Sequence, residues 1–181
     1  MNGSNALDAN IVQKAKKIKL LLLDVDGVLT DGRIIYDSKG RDAKFFDVHD
    51  GLGVYLLRRA GIPTILITAK DSKAIRPRAR DMRVAEVFAN ISPKSAVLER
   101  ILKKYRLSAE EICFMGDDLV DLCLMNKVGL AVAVFNAAPE IKQTASYITI
   151  RHGGRGAVRE VSELILKSQG RWKEMVGLYE A

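Results

Sequence analysis

The chain has 181 residues, 48% of them hydrophobic and 28% charged, which is enough for one domain with a sizeable core and excludes global disorder. Its net charge of +7 favours an anionic partner, but lysine and arginine are spread along the chain and aromatics make up only 6%, so the pattern points away from nucleic acid. No apolar run is long enough for a membrane helix or a signal-peptide core, and the two cysteines, Cys113 and Cys123, lack metal-ligand spacing; a cytoplasmic protein with reduced thiols is expected.

Residues 1–17 read as a frayed lead-in and a short basic helix. Residues 18–170 read as one domain and 171–181 as a tail. The run Ile18 to Leu23 is apolar except for Lys19 and ends in Asp24-Val25-Asp26-Gly27, the pattern of a fully buried parallel strand whose acids fall at its carboxyl end. Two carboxylates so placed repel one another unless a cation sits with them, and a hard ion such as magnesium suits oxygen ligands. Two β-prone runs then flank a turn at Asp37 to Gly40, a hairpin covering about 33–48. Asp50 reads as the N-cap of a helix ending at Gly61.

Strands and helices alternate from there. Strands are expected at Pro63–Thr68, Val84–Phe88, Ile112–Gly116, Gly129–Val134 and Tyr147–Ile150. Helices are expected at Ser72–Met82, with Pro77 an anomaly, from the Ser92 cap with Pro93 at its first position to Tyr105, and at Leu119–Asn126, Pro139–Thr144, Ala157–Lys167 and Trp172–Tyr179. Ser108 and Glu111 form a capping-box pattern. The alternation predicts an α/β fold, a doubly wound parallel sheet with right-handed crossovers.

In such a sheet the strand ends converge on one crevice. Asp24 and Asp26, Thr68, Lys94, and Gly116-Asp117-Asp118 with Asp121 all stand at strand ends or just beyond them. That mixture suits phosphoryl transfer: one carboxylate attacks phosphorus, a second exchanges the proton, and a cation, a lysine and a hydroxyl neutralise the transferring group. His49 and His152 read as surface or substrate-rim residues.

These motifs, in this order, resemble the haloacid dehalogenase superfamily of phosphatases over roughly residues 18–168. The resemblance implies a Rossmann-like haloacid dehalogenase fold with a β-hairpin insertion after the first strand and no cap domain. It implies that Asp24 is the nucleophile and Asp26 the general acid/base, that Thr68 and Lys94 hold the phosphoryl oxygens, and that Mg2+ is held by Asp24, Asp117 and the carbonyl of Asp26. Asp118 and Asp121 would support the metal from behind.

The gaps between motifs are too short for a cap domain, so a macromolecular substrate or a second subunit must cover the site. Thr30-Asp31-Gly32, the hairpin, Asp50-Gly51-Leu52-Gly53 and the Gly153-Gly154-Arg155-Gly156 segment resemble the homotetrameric branch that acts on the 8-phosphate of 3-deoxy-D-manno-octulosonate, in lipopolysaccharide precursor synthesis. That resemblance implies a small phosphorylated sugar acid as substrate, contacted by Lys70, Arg78, Thr68, Lys94, Gly153 and Gly154. Ala69-Lys70 departs from the Gly-Arg more usual there; the signs of Lys70 and Asp81 lean away from a sister group that takes a nine-carbon ulosonate 9-phosphate. An open-site phosphatase for macromolecular ends and a non-catalytic binding module remain alternatives.

Overall fold

The computed structural model describes residues 8–180. The first part of the predicted lead-in, residues 1–7, and the end of the tail, residue 181, lie outside the described residues. Six parallel strands form one sheet in the order β5-β4-β1-β6-β7-β8, with ranges β1 Leu20–Leu23, β4 Thr64–Ile67, β5 Glu86–Phe88, β6 Ile112–Gly116, β7 Leu130–Ala133 and β8 Tyr147–Ile148. β2 (Ile35–Tyr36) and β3 (Asp42–Ala43) pair antiparallel as a separate hairpin. The helices are α1 Ala9–Lys17, α2 Val48–Arg59, α3 Ile75–Asp81, α4 Leu98–Tyr105, α5 Leu122–Met125, α6 Pro139–Thr144, α7 Ala157–Ser168 and α8 Trp172–Gly177.

β1 is central because it is wholly apolar: Leu20, Leu21, Leu22 and Leu23 are each 0% exposed. A strand buried on both faces pairs on both edges. Leu22 stands opposite Ile65 of β4 and opposite Phe114 of β6. The chain leaves β1 for β4 and β5 on one side, then returns to β6 and continues outward to β7 and β8. The order therefore reverses between β1 and β6, which is where open α/β sheets open a crevice at their carboxyl ends. α7 packs on α2 and α1.

Three expectations are corrected. Asp47, not Asp50, caps α2, accepting from the His49 N–H at 2.7 Å. Asp50 lies inside the helix and is fully buried. Its carboxylate accepts instead from the N–H groups of Arg159 at 2.8 Å and Gly156 at 3.3 Å, so it caps α7 from another element. Pro77 is no anomaly, since α3 starts three residues later than expected and the first helical bond runs from the Arg78 N–H to the Ala74 carbonyl. A first-turn proline gives up no helical hydrogen bond. Pro93, extended at ψ 149°, occupies the cap position that was expected of Ser92; a single 3-10 turn, Lys94–Val97, precedes α4.

Candidate active site

The site is built at the carboxyl ends of β1, β4 and β6. A cleft of about 320 Å³ is lined by Asp24, Asp26, Thr68, Lys70, Lys94, Asp117 and Asp118, among others. Asp24 follows β1 directly and is 5% exposed. Thr68 follows β4, is 1% exposed and accepts from the Lys70 N–H at 3.2 Å.

Lys94 reaches the cleft from the 3-10 turn and is itself buried. Its ammonium donates to Asp24 Oδ1 at 2.5 Å and to Asp121 Oδ1 at 2.6 Å. Burial works against the ammonium, but the two carboxylates outweigh it and hold its pKa above the usual lysine value. Asp121 spends its other oxygen on backbone, accepting from Asp117 N–H at 2.9 Å and Asp118 N–H at 3.4 Å. It thus fixes both the loop that carries Asp117 and the lysine.

One lysine does not balance the carboxylates. Asp24, Asp117 and Asp121 each offer an oxygen, all within 4.8 Å of one another. Burial, and then the neighbouring carboxylates, push Asp117 up to about 8; burial lifts Asp24 to about 6 against the pull of Lys94. A cluster this acidic and this dry calls for a further positive charge. The donors are all hard oxygens, which fits magnesium. Lys94 and two backbone N–H groups occupy the Asp121 carboxylate, so within this cluster Asp24 and Asp117 are the side chains that could take such an ion.

Two glycines make the approach possible. Gly27 turns at φ +99°, and a Cβ there would stand 1.9 Å from Asp117 Oδ2. Gly153 lies on that turn from outside: a Cβ on it would stand 1.7 Å from the Gly27 carbonyl oxygen. The Gly154 N–H donates to the Val28 carbonyl at 2.9 Å. Neither Gly153 nor Gly154 lines the cleft, so the pair expected to touch substrate buttresses the Asp24–Thr30 loop instead.

The family model for haloacid dehalogenase-like hydrolases matches residues 66–160, just over half of the chain. A curated relative, the 3-deoxy-D-manno-octulosonate 8-phosphate phosphatase KdsC of Escherichia coli (strain K12), is 39% identical over 171 residues, 94% of this chain and 91% of that one. The chain belongs to the haloacid dehalogenase-like hydrolases. Among solved structures of this family, the Moraxella catarrhalis 3-deoxy-D-manno-octulosonate 8-phosphate phosphatase, in complex with magnesium, phosphate and KDO, superposes with TM-score 0.92 at 38% identity, covering 95% of this chain and 99% of that one. The cobalt-bound Haemophilus influenzae phosphatase gives 0.84 at 37%, covering 87% and 92%.

The remaining expected residues separate. Lys70 is exposed on the cleft wall. Asp118 is exposed at the rim and its carboxylate accepts from the adjacent Leu119 N–H at 2.8 Å, which makes it a turn cap. Arg78 does not line the cleft. Its guanidinium donates to the Asp47 carbonyl at 2.7 Å, packs against Gly51 and lies 5.6 Å from the Phe46 ring centroid, while its buried Nε has no partner among the described residues. An arginine on α3 thus ties down the start of α2. His49 is exposed and bonded to Asp47, and His152 stacks on Phe135.

Lys44, which nothing in the sequence singles out, enters from the hairpin. Its ammonium lies 2.5 Å from Asp26 Oδ1 and its side chain is only 8% exposed. Lys44 follows β3, and the return of the hairpin toward the end of β1, which no residue pattern announces, puts it there.

Proposed function

We propose that this hydrolase removes the phosphate of 3-deoxy-D-manno-octulosonate 8-phosphate with Mg2+ as cofactor, through an aspartyl-phosphate on Asp24. The observation that carries the reading is the Asp24–Lys94–Asp121 array with Asp117 beside it, at the sheet's switch point, in a chain that matches relatives of that activity across nearly its whole length.

Lys94 orients the Asp24 carboxylate by its bond to Oδ1, which sets the other face of the group toward phosphorus. Thr68 and Lys94 take the phosphoryl oxygens with hydroxyl and ammonium donors. Asp26 gives its proton to the departing sugar oxygen as the Asp24–phosphorus bond forms. It then takes a proton from water, whose oxygen attacks phosphorus, frees Asp24 and yields inorganic phosphate. Asp24, Asp117 and the Asp26 carbonyl would hold magnesium, which when bound neutralises charge on the transferring group. Lys70, on the cleft wall, is placed to meet the anionic substrate; Arg78 acts on α2 unless substrate binding releases it.

Exposed apolar side chains gather on and after the hairpin: Ile34, Tyr36, Phe45 and Val48 are 55%, 65%, 69% and 74% exposed. Such a patch on a domain with no cap supports a homotetramer in which neighbours cover the cleft. No described helix is long and apolar enough to cross a membrane; the reading places the enzyme in the cytoplasm, in lipopolysaccharide precursor synthesis.

The test is phosphate release, with magnesium and with chelator, from the eight-carbon and nine-carbon ulosonate phosphates, simple sugar phosphates, a phosphopeptide and a phosphorylated DNA end. Preference for the eight-carbon compound, lost in Asp24→Asn with the fold intact, is the expected result. Preference for the nine-carbon compound or the macromolecular ends refutes the assignment.

A further inference from the structure

The two carboxylates of the Asp24-Val25-Asp26 turn are served by two different lysines. Lys94 is committed to Asp24 and Asp121. Lys44 is committed to Asp26, with Asp42 a more distant neighbour at 3.7 Å. The Lys44 side chain is 8% exposed and that of Asp26 is 30% exposed, so the pair is shielded on the lysine side and open toward the cleft on the carboxylate side. An ammonium taken out of water is held by its carboxylate partner, because a buried charge left unpaired is strongly unfavourable. The bond therefore fixes where the Asp26 carboxylate sits.

The surroundings show which part of the reaction this serves. Lys44 also lines a cavity of about 800 Å³ between the hairpin and residues 69–73. That cavity shares Ile34, Ala69 and Lys70 with the reaction cleft. Asp26 thus stands at the seam between the cleft that takes the phosphoryl group and a space large enough for the group that leaves.

We infer that Lys44 is a positioning residue for the proton-transfer steps, acting through Asp26: by donating to Oδ1 it holds the carboxyl at the seam and leaves Oδ2 to meet the leaving oxygen. The balance is simple. The phosphorus–oxygen bond breaks, the departing oxygen gains the Asp26 proton, and Asp26 is left as a carboxylate facing the Lys44 ammonium. The same bond to Oδ1 leaves Oδ2 to take a proton from water in the second half. The hairpin is then part of the catalytic apparatus of its own chain as well as a surface for neighbours. This inference rests on the role proposed for Asp26.

The experiment varies the leaving group. Phosphate monoesters of a graded series of phenols, from p-nitrophenol to p-methoxyphenol, and of a simple alcohol change the need for proton donation with little change in what binds at phosphorus. The quantity read is kcat/KM, which reports steps up to departure of the leaving group, in wild type, Lys44→Met, Lys44→Arg, Asp26→Asn and the Lys44→Met/Asp26→Asn double variant. Lys44→Met is expected to lose about 10–100-fold on the alkyl ester and under about 3-fold on the p-nitrophenyl ester, steepening the leaving-group dependence; that is part of the roughly 10²–10⁴-fold that general acid catalysis supplies, since Asp26 remains. Lys44→Arg, which keeps the charge, restores most of the slope. The double variant is no steeper than Asp26→Asn, as expected for residues acting as one unit.

An equal loss across the series, or none, overturns the inference, since a lysine that merely supports the hairpin or binds phosphate slows every ester alike. If Asp26→Asn leaves the slope unchanged, the acid role of Asp26 fails. If it steepens the slope and Lys44→Met does not, only the role of Lys44 fails.

Discussion

Replacing Lys94 with methionine tests whether a single ammonium balances the buried acids. The side chain keeps its length, so packing changes little, but Asp24 and Asp121, 5% and 0% exposed, lose their shared cation. Removing one partner from a buried ion pair costs about 3–5 kcal/mol, because the other is left charged and dry. For a chain of this size each kcal/mol moves the midpoint by about 2–4 °C, so metal-free Lys94→Met should melt roughly 6–20 °C below wild type at pH 7.5. The deficit has a definite pH dependence. Without Lys94 the folded-state pKa of Asp24, already raised by burial, rises further above its unfolded value. The folded variant then binds more protons than the unfolded chain, so its stability falls as pH rises from about 4 through that pKa, and the gap from wild type narrows on acidification. Magnesium should raise the midpoint of the variant more than that of wild type, since the site it enters carries one positive charge less. Turnover should fall by about 10²–10³, the scale for losing one preorganised donor. Differential scanning fluorimetry at pH 5 and 7.5, with magnesium and with chelator, reads all of this except turnover. A metal-free midpoint within about 2 °C of wild type at pH 7.5 would refute the reasoning, because the carboxylates would then be neutralised by other means.

Asp117→Asn should abolish most of the stabilisation by magnesium while leaving the metal-free protein at least as stable as wild type, since it removes a carboxylate held up at about 8 by burial and by like charges; a thermal titration with magnesium shows whether it does. Gly153→Ala places a methyl 1.7 Å from the Gly27 carbonyl oxygen and should cost about 1–3 kcal/mol together with activity. Gly170→Ala, at φ +71° with open space around it, should cost only about 1–2 kcal/mol of left-handed strain and leave turnover alone, so equal turnover in the two variants would remove the buttress role of Gly153. Burial lifts Asp50 to about 6 despite its backbone donors, so the folded state holds a proton that the unfolded chain gives up near pH 4. Relative to Asp50→Asn, wild type should therefore lose about 2–3 kcal/mol between pH 4 and pH 7 in urea unfolding; a flat difference means that the α7 N–H groups keep the carboxylate ionised.

The residue pattern by itself determined the strand–helix alternation, and with it the parallel sheet and the convergence of Asp24, Thr68, Lys94 and Asp117 at one edge. Those residues follow buried strands or open the turn after one, and buried strands are legible because an unbroken apolar run has no other use in a chain this size. The capping box at Ser108 and Glu111 is local in the same sense, since both partners lie within one turn.

Tertiary structure decided what depends on distant backbone. Asp47 and Asp50 are both plausible caps by spacing; only the packing of α2 against α7 sends one to its own helix and the other to a helix more than a hundred residues away. Arg78 and the Gly153–Gly154 pair carry residue types suited to substrate, yet the fold spends the arginine on the Asp47 carbonyl and the glycines on close contact with Gly27 and Thr30. Lys44 shows the same limit from the other side. Its place beside Asp26 follows from how the hairpin folds back toward the end of β1, and a lysine between an alanine and a phenylalanine reads the same whether its ammonium ends in water or on the Asp26 carboxylate.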